Sequence, residues 1–205
     1  LTTKQPIWIA TDSHEGVLVT EDMLVREYTP HTRFDDGKFY PLSAVKNVKI
    51  KVHFKGVKNL LTTRAVISGV AKSYSISEGS SMNELTAHEI TGWTLVKDTV
   101  NTELGYLEAT MQTFGMVKGY RYNPEDLYLH LDVMLVDGQT ILTHDLPVGH
   151  LVRYATTAGS DIDINIDVRK ENPIELPNVQ ITGGGNGFDI TVSDWEDEIN
   201  IDIDL

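Results

Sequence analysis

From Val45 onward, apolar residues recur at every second position. In "VKNVKIKVHFKGV", Val48, Ile50, Val52 and Phe54 alternate with Lys49, Lys51, His53 and Lys55. Successive side chains leave opposite faces of an extended backbone, so this period predicts a strand with a dry face and a basic wet face. "LGYLEATMQTFG" repeats the pattern, with Leu107, Ala109 and Met111 on one side and Glu108, Thr110 and Gln112 on the other. "DLYLHLDVMLVDGQTILTHDL" predicts a hairpin. Leu127, Leu129, Leu131, Val133 and Leu135 form its core stripe, and Asp137-Gly138 supplies the turn.

Other segments are less regular. "RAVISGV" predicts a buried strand in which Ser68-Gly69 marks a bulge. "SYSIS" predicts a short edge strand, and "ELTAHEITGWTLV" an alternation interrupted at Gly92. "VGHLVRYA" fits either a strand or one helical turn. "DIDINIDVRK", "GFDITV" and "EINIDID" complete the set. No long segment combines helical period with good caps. Strands about eight to fifteen residues apart, joined by Gly, Asn and Asp, predict an all-β antiparallel sandwich.

The first 45 residues differ. "QPIWIATD" and "GVLVTEDMLV" are short apolar pieces set among turn residues, and "YTPHTRFDDGKFYP" is punctuated by Pro30, Gly37 and Pro41. This composition predicts an extended arm over 1–45 and a sandwich domain over 46–205. "FDDGKFY" predicts a small hairpin within the arm, since Asp36-Gly37 favours a tight turn.

Composition narrows the function classes. The 205 residues are ample for a real core. With no cysteine, the chain has no disulfide, no thiolate metal site and no cysteine nucleophile. The net charge is −13, and residues 161–205 hold twelve acids against two bases. Such a balance argues against nucleic-acid partners and against electrostatic docking on anionic lipid. No apolar run approaches the roughly 18 residues of a membrane span. The chain opens at Leu1 rather than Met, which leaves room for a removed export signal.

Candidate chemistry is sparse. Asp161, Asp163, Asn165 and Asp167 carry the spacing that opens a calcium loop. That loop also needs Gly at position six and Glu at position twelve, where this chain has Ile166 and Asn172. The interleaved isoleucines predict an antiparallel strand with one buried face instead. "GGGNGFD" at 183–189 resembles a phosphate loop, yet a strand-like segment follows it rather than a helix, so it predicts a flexible linker. His130 and His144 meet across the predicted hairpin, with Asp132 nearby, and are the best zinc candidates among seven histidines. Polar residues on the hairpin's outer face are the plainer reading. Ser68 lacks a nucleophile elbow. Trp8, Trp93, Trp195 and the eight tyrosines are candidate sugar platforms, with Trp195 set among charges. No residue is assigned a catalytic, cofactor-binding or metal role.

Several stretches together resemble one family. They are "VKIKVHFKGVKNLLTTRAVISGVAKSYSISEG", "LGYLEATMQTFG", "LYLHLDVMLVDGQTILTHDL" and "ELPNVQITGGGNGFDITVSDWEDEINIDIDL". In this order they resemble Bacteroidetes surface lipoproteins: the anchor or minor-subunit family of type V fimbriae and its fimbrillin-like sister group. "VISGVA" at 66–71, Thr113-Phe114-Gly115, and Gly187-Phe188-Asp189 followed by Trp195 carry the match, which covers about residues 45–205. The resemblance implies a transthyretin-like Greek-key β-sandwich with no enzymatic activity and no cofactor. It implies an exported protein of the cell surface or outer membrane whose partners are other pilus subunits or surface proteins. Contact with the membrane would run only through a lipid anchor absent from this chain. Family members usually carry a further N-terminal domain, from which residues 1–45 would be the arm. A carbohydrate-binding surface lipoprotein is the alternative, and a metal-dependent hydrolase the third reading.

Overall fold

The computed structural model describes residues 2–3, 5–6, 10–11, 42–155 and 162–180. Among them the regular structure is β, with three short 3-10 turns at Val57–Asn59, Pro124–Asp126 and Gly149–Leu151. The early strands are short: β1 (Thr2–Thr3), β2 (Ala10–Thr11) and β3 (Leu42–Ser43). The long ones follow: β4 (Lys46–Lys55) and β5 (Leu60–Ala71). Next come β6 (Tyr74–Ser75), β7 (Ser80–Ser81), β8 (Leu85–Ile90) and β9 (Thr94–Lys97). β10 (Leu104–Thr113), β11 (Tyr128–Leu135) and β12 (Ile141–Pro147) carry most of the remaining core. β13 (Val152–Tyr154), β14 (Ile164–Val168) and β15 (Ile174–Glu175) complete the set.

Two main sheets form. One runs β1-β8-β5-β11-β12; the other runs β13-β14-β4-β10-β9, with β15 also paired to β4. β2 pairs with β3, and β6 with β7, as separate two-stranded ladders. Pairing is mostly antiparallel.

The predicted stripes supply the core. Val48, Ile50, Val52 and Phe54 are buried, as are Leu107, Ala109 and Met111. Leu127, Leu129, Leu131, Val133 and Leu135 are fully buried. These side chains join Ile67, Ile164 and Ile166 in one cluster between the sheets. Burying a side chain of this size is worth roughly 1.5–3 kcal/mol, so the alternation of the long strands is enough to dictate two layers.

Three expectations are refined. The Ser68-Gly69 bulge is present: the β5–β8 register shifts between Ser68 and Val70, and Gly69 has φ +96°. A Cβ on Gly69 would stand 2.3 Å from the Asp126 carbonyl oxygen, so the 3-10 turn at Pro124–Asp126 rests against the bulge. The β11–β12 turn is wider than a two-residue hairpin. It closes by Gly138 N donating to the Leu135 carbonyl and Leu135 N to that of Thr140, with φ +68° at Gly138. "SYSIS" joins the β6–β7 ladder rather than edging a main sheet.

β14 corrects the reading of "DIDINIDV". It pairs antiparallel with β13 but parallel with β4, Ile164 lying opposite Val48 and Val168 opposite Val52. Parallel strands are usually buried on both faces. Here the outer face is held by charge pairing instead. His53 Nε2 meets Asp167 Oδ1 at 2.6 Å, and farther along β4 Lys55 Nζ meets Glu175 of β15 at 2.7 Å. On the other flank Lys49 Nζ lies 3.0 Å from Glu108 of β10. Such solvent-accessible pairs are screened by water, so they favour this register more than they stabilise the fold. The basic face read from β4 is therefore locally neutralised.

Of the described parts of the first 45 residues, β1 and Gln5 reach the main sheets, while β2 and β3 pair with each other. β1 pairs parallel with β8, Thr2 opposite Ala87 and Thr3 opposite His88. Gln5 ties the layers together: its Nε2 donates to the Glu89 carbonyl of β8, and its Oε1 accepts from Gln112 N of β10. The predicted hairpin at "FDDGKFY" lies outside the described residues, as do the segments at 183–189 and 198–205.

Candidate interaction site at the open half of β5

β5 is twelve residues long but is only half covered on one side. β11 pairs with it from Leu60 to Ser68. On the opposite side β8 reaches only Ala65–Ala71. The sequence explains why β8 stops. After Ile90, Gly92 adopts φ +72°, a left-handed conformation that a side chain resists, and the chain leaves this sheet to enter the other as β9. Leu60–Arg64 are thus left, among the described residues, with no strand on the side facing away from β11.

Beside this stretch lies a cavity of about 490 Å³. Ile90, Trp93, Leu95 and Leu107 line it with apolar surface. Trp93 is fixed there by its Nε1, which donates to the Ile90 carbonyl at 3.1 Å. Arg64 and Glu89 mark the polar rim, Arg64 Nε standing 3.3 Å from Glu89 Oε1. Leu61 remains 37% exposed. An unpaired strand half with apolar surface beside it can do one thing chemically. It can take up an extended segment through backbone hydrogen bonds while alternate side chains enter the cavity.

The zinc candidates are not brought together. Leu131, not His130, lies directly opposite His144. A one-residue offset puts side chains on opposite faces of a sheet, so His130 points outward and His144 inward. His130 Nδ1 meets Asp145 Oδ1 at 2.6 Å, and Asp132 Oδ1 accepts from Thr143 Oγ1 at 2.5 Å. Among the described residues no group of three His, Asp or Glu side chains has metal-binding geometry. Among the described residues His144 Nε2 is buried with no hydrogen-bond partner, and its imidazole titrates below the ordinary value. Desolvation is the main cause, with the Arg169 charge adding to it.

The other candidates separate in the same way. Asp163 Oδ2 accepts from Asn47 N, and Asp167 is engaged by His53, so both are used within the sheet. Ile166 stays extended inside β14, which leaves no loop for an ion. Ser68 sits at the bulge in mid-sheet. Of the three tryptophans only Trp93 is described, and it lines the cavity rather than an open platform. Trp8, Trp195, His14, His31 and Asp161 lie outside the described residues. Sequence reasoning missed the open half of β5. The signal was the break at Gly92, twenty-eight positions after Arg64, and its meaning depends on where β8 pairs.

Neither a family model nor a curated protein matches this sequence. A solved structure of a candidate adhesin from Bacteroides ovatus is similar to this chain, with a TM-score of 0.46 and 17% sequence identity. The similarity covers 87% of this chain and 61% of that one, so this chain spans about three fifths of its length.

Proposed function

We propose that this chain is a non-enzymatic, cell-surface subunit of a fimbria-like adhesion system, built as a transthyretin-like Greek-key sandwich, that acts by strand addition at Leu60–Arg64 of β5. The observation that carries this reading is the strand half left, among the described residues, unpaired beside a cavity that Ile90, Trp93, Leu95 and Leu107 line in part. At about 3.4 Å per residue the open stretch accommodates roughly five residues of partner. The chain holds matching donors. "INIDIDL" at 199–205 alternates apolar and polar side chains, offering isoleucines to Trp93 and Leu95 and carboxylates to Arg64. A donor from a neighbouring copy or from another surface subunit would add to the sheet in the same way. An exported protein held at the outer membrane through a lipid anchor beyond this chain would meet such partners.

The absence of cysteine makes the test clean. Thr62→Cys and Asp202→Cys chains are prepared separately, mixed and oxidised. The reading expects a disulfide-linked heterodimer, and none when Thr143→Cys on β12 replaces Thr62→Cys. Equal cross-linking at both positions, or none at either, removes the C-terminal strand as donor. A chain lacking residues 199–205 that still assembled normally would do the same.

A further inference from the structure

A second surface, away from the β5 cavity and independent of strand addition, carries an aromatic site. The 3-10 turn at Pro124–Asp126 and the edge strand β13 bring three tyrosines together. The Tyr120 and Tyr122 rings form an edge-to-face pair with centroids 5.0 Å apart, and the Tyr154 hydroxyl is near enough to Tyr122 to feel it electrostatically. Their roles differ. Tyr120 packs against the core and donates its hydroxyl to the Gly149 carbonyl at 2.5 Å. Tyr122 and Tyr154 remain 45% and 50% exposed.

Tyr122 is held at a cost. Its φ is +62°, a left-handed conformation worth roughly 1–3 kcal/mol of strain for a bulky residue, and one that glycine would adopt freely. The surrounding loop enforces it. Asp126 Oδ2 accepts from Asn123 N at 3.0 Å and from Arg121 N at 3.3 Å, clamping the backbone on both sides of Tyr122. Gly149 closes the clamp from below: a Cβ there would stand 2.0 Å from the Asn123 carbonyl oxygen. Strain maintained by a braced loop, on a side chain left nearly half in solvent, is poorly explained by packing.

The chemistry of the patch points to one ligand class. A phenol ring offers a negative face to the weakly positive C–H groups of a pyranose ring, and its hydroxyl offers a donor and an acceptor. The Tyr154 hydroxyl, which burial pushes above the ordinary phenol range, remains a protonated donor, whereas Tyr120 already spends its donor on the Gly149 carbonyl. Arg121 and Asn123, the sequence neighbours of Tyr122, are exposed polar residues, in a chain otherwise rich in acid. Fixed aromatic faces with few rotatable bonds bind at low entropic cost. We propose that Tyr122 and Tyr154 form a platform for a pyranose ring of a neutral glycan, with Tyr120 and the Asp126 clamp positioning it.

The test uses the full chain and four probes: mannohexaose, xylohexaose, cellohexaose and N-acetyllactosamine. Binding is followed by saturation-transfer NMR and calorimetry. At least one probe is expected to bind with a Kd of about 1 mM or tighter. Tyr122→Gly is the deciding variant, because it removes the ring and relieves the strain together. It is expected to weaken binding at least ~10-fold while its melting temperature is unchanged or raised. Tyr154→Ala is expected to weaken binding to a similar extent. Absence of binding by all four probes to the wild-type chain overturns the proposal, as does binding that both variants retain. Should Tyr122→Gly melt lower, Tyr154→Ala decides alone: retained affinity overturns the platform and lost affinity sustains it.

Discussion

In the sheet built on β5, two of the stretches of backbone without a strand neighbour among the described residues are dressed differently. One is the outer side of β12, the last strand of the sheet. It ends in Pro147, exposes Thr143 and Asp145, and turns His144 inward. Proline, charge and an inward polar side chain are the devices by which proteins discourage edge-to-edge pairing. The other stretch is the Leu60–Arg64 half of β5, where Leu60, Leu61, Thr62 and Thr63 carry no charge, Arg64 is paired with Glu89, and a cavity lined in part by Ile90, Trp93, Leu95 and Leu107 lies alongside. One edge is defended and the other is receptive. The contrast separates a strand end that merely finishes a sheet from one suited to a partner.

The contrast breaks first if the two halves of β5 weigh equally in stability. Ile67, in the half paired on both sides, is buried in the core. Ile67→Ala is expected to cost about 3 kcal/mol, by lost transfer energy and by the cavity left behind. Leu61→Ala, in the receptive half, is expected to stay within about 0.5 kcal/mol. Urea denaturation of both variants measures the difference. Similar losses would mean that the Leu61 half is a structural element in its own right, and the comparison would fail.

A somewhat smaller loss is expected at the bulge that ends the well-paired half. Gly69→Ala places a Cβ against the Asp126 carbonyl and forces a side chain into φ +96°. It is expected to cost roughly 2–3 kcal/mol, given the strain of a left-handed residue and the loop shift needed to clear the clash. Because Asp126 also clamps Tyr122, this variant is expected to weaken any glycan binding as well. A melting curve identical to that of the wild-type chain would show that the turn at Pro124–Asp126 is not braced on the bulge.

How much of this was legible in the sequence follows from where the information resides. The stripes of β4, β10 and β11 were readable because alternation is local, and a strand needs nothing else to declare its dry face. The Ser68-Gly69 bulge was readable because glycine marks left-handed backbone. The parallel pairing of β14 with β4 was not, because Ile164, Ile166 and Val168 would alternate identically in either direction. The neighbours that decide it, His53 and Lys55, lie more than a hundred positions from Asp167 and Glu175. His130 and His144 were misjudged although the information was local. A turn centred on Asp137-Gly138 already sets Leu131 opposite His144 and His130 opposite Asp145, and that one-residue offset puts the two histidines on opposite faces. The open half of β5 and the tyrosine platform are both absences or gatherings across the fold, which no local pattern encodes.

The smallest expected effect concerns how the defended edge is held. The His144 imidazole faces inward, and burial together with the Arg169 charge lowers its affinity for a proton, Asp145 opposing them weakly. The unfolded chain therefore binds that proton more tightly than the folded one. Stability linked to His144 is complete above the ordinary value near 6.5 and is lost as the pH falls through it toward the lowered folded value. Replacing His144 by Gln removes this dependence while keeping a polar, inward side chain. The difference in unfolding free energy between wild type and His144→Gln, measured from pH 7.5 down to 5, is expected to shift steadily in favour of the variant below about 6.5. The remaining side chains are common to both proteins, so their contributions cancel in that difference. A difference that stays flat would mean that the charged imidazole is as well accommodated in the folded edge as in water. The edge would then owe its defence to Pro147 and Asp145, and the inward histidine would have no part in keeping β12 from pairing as β5 can.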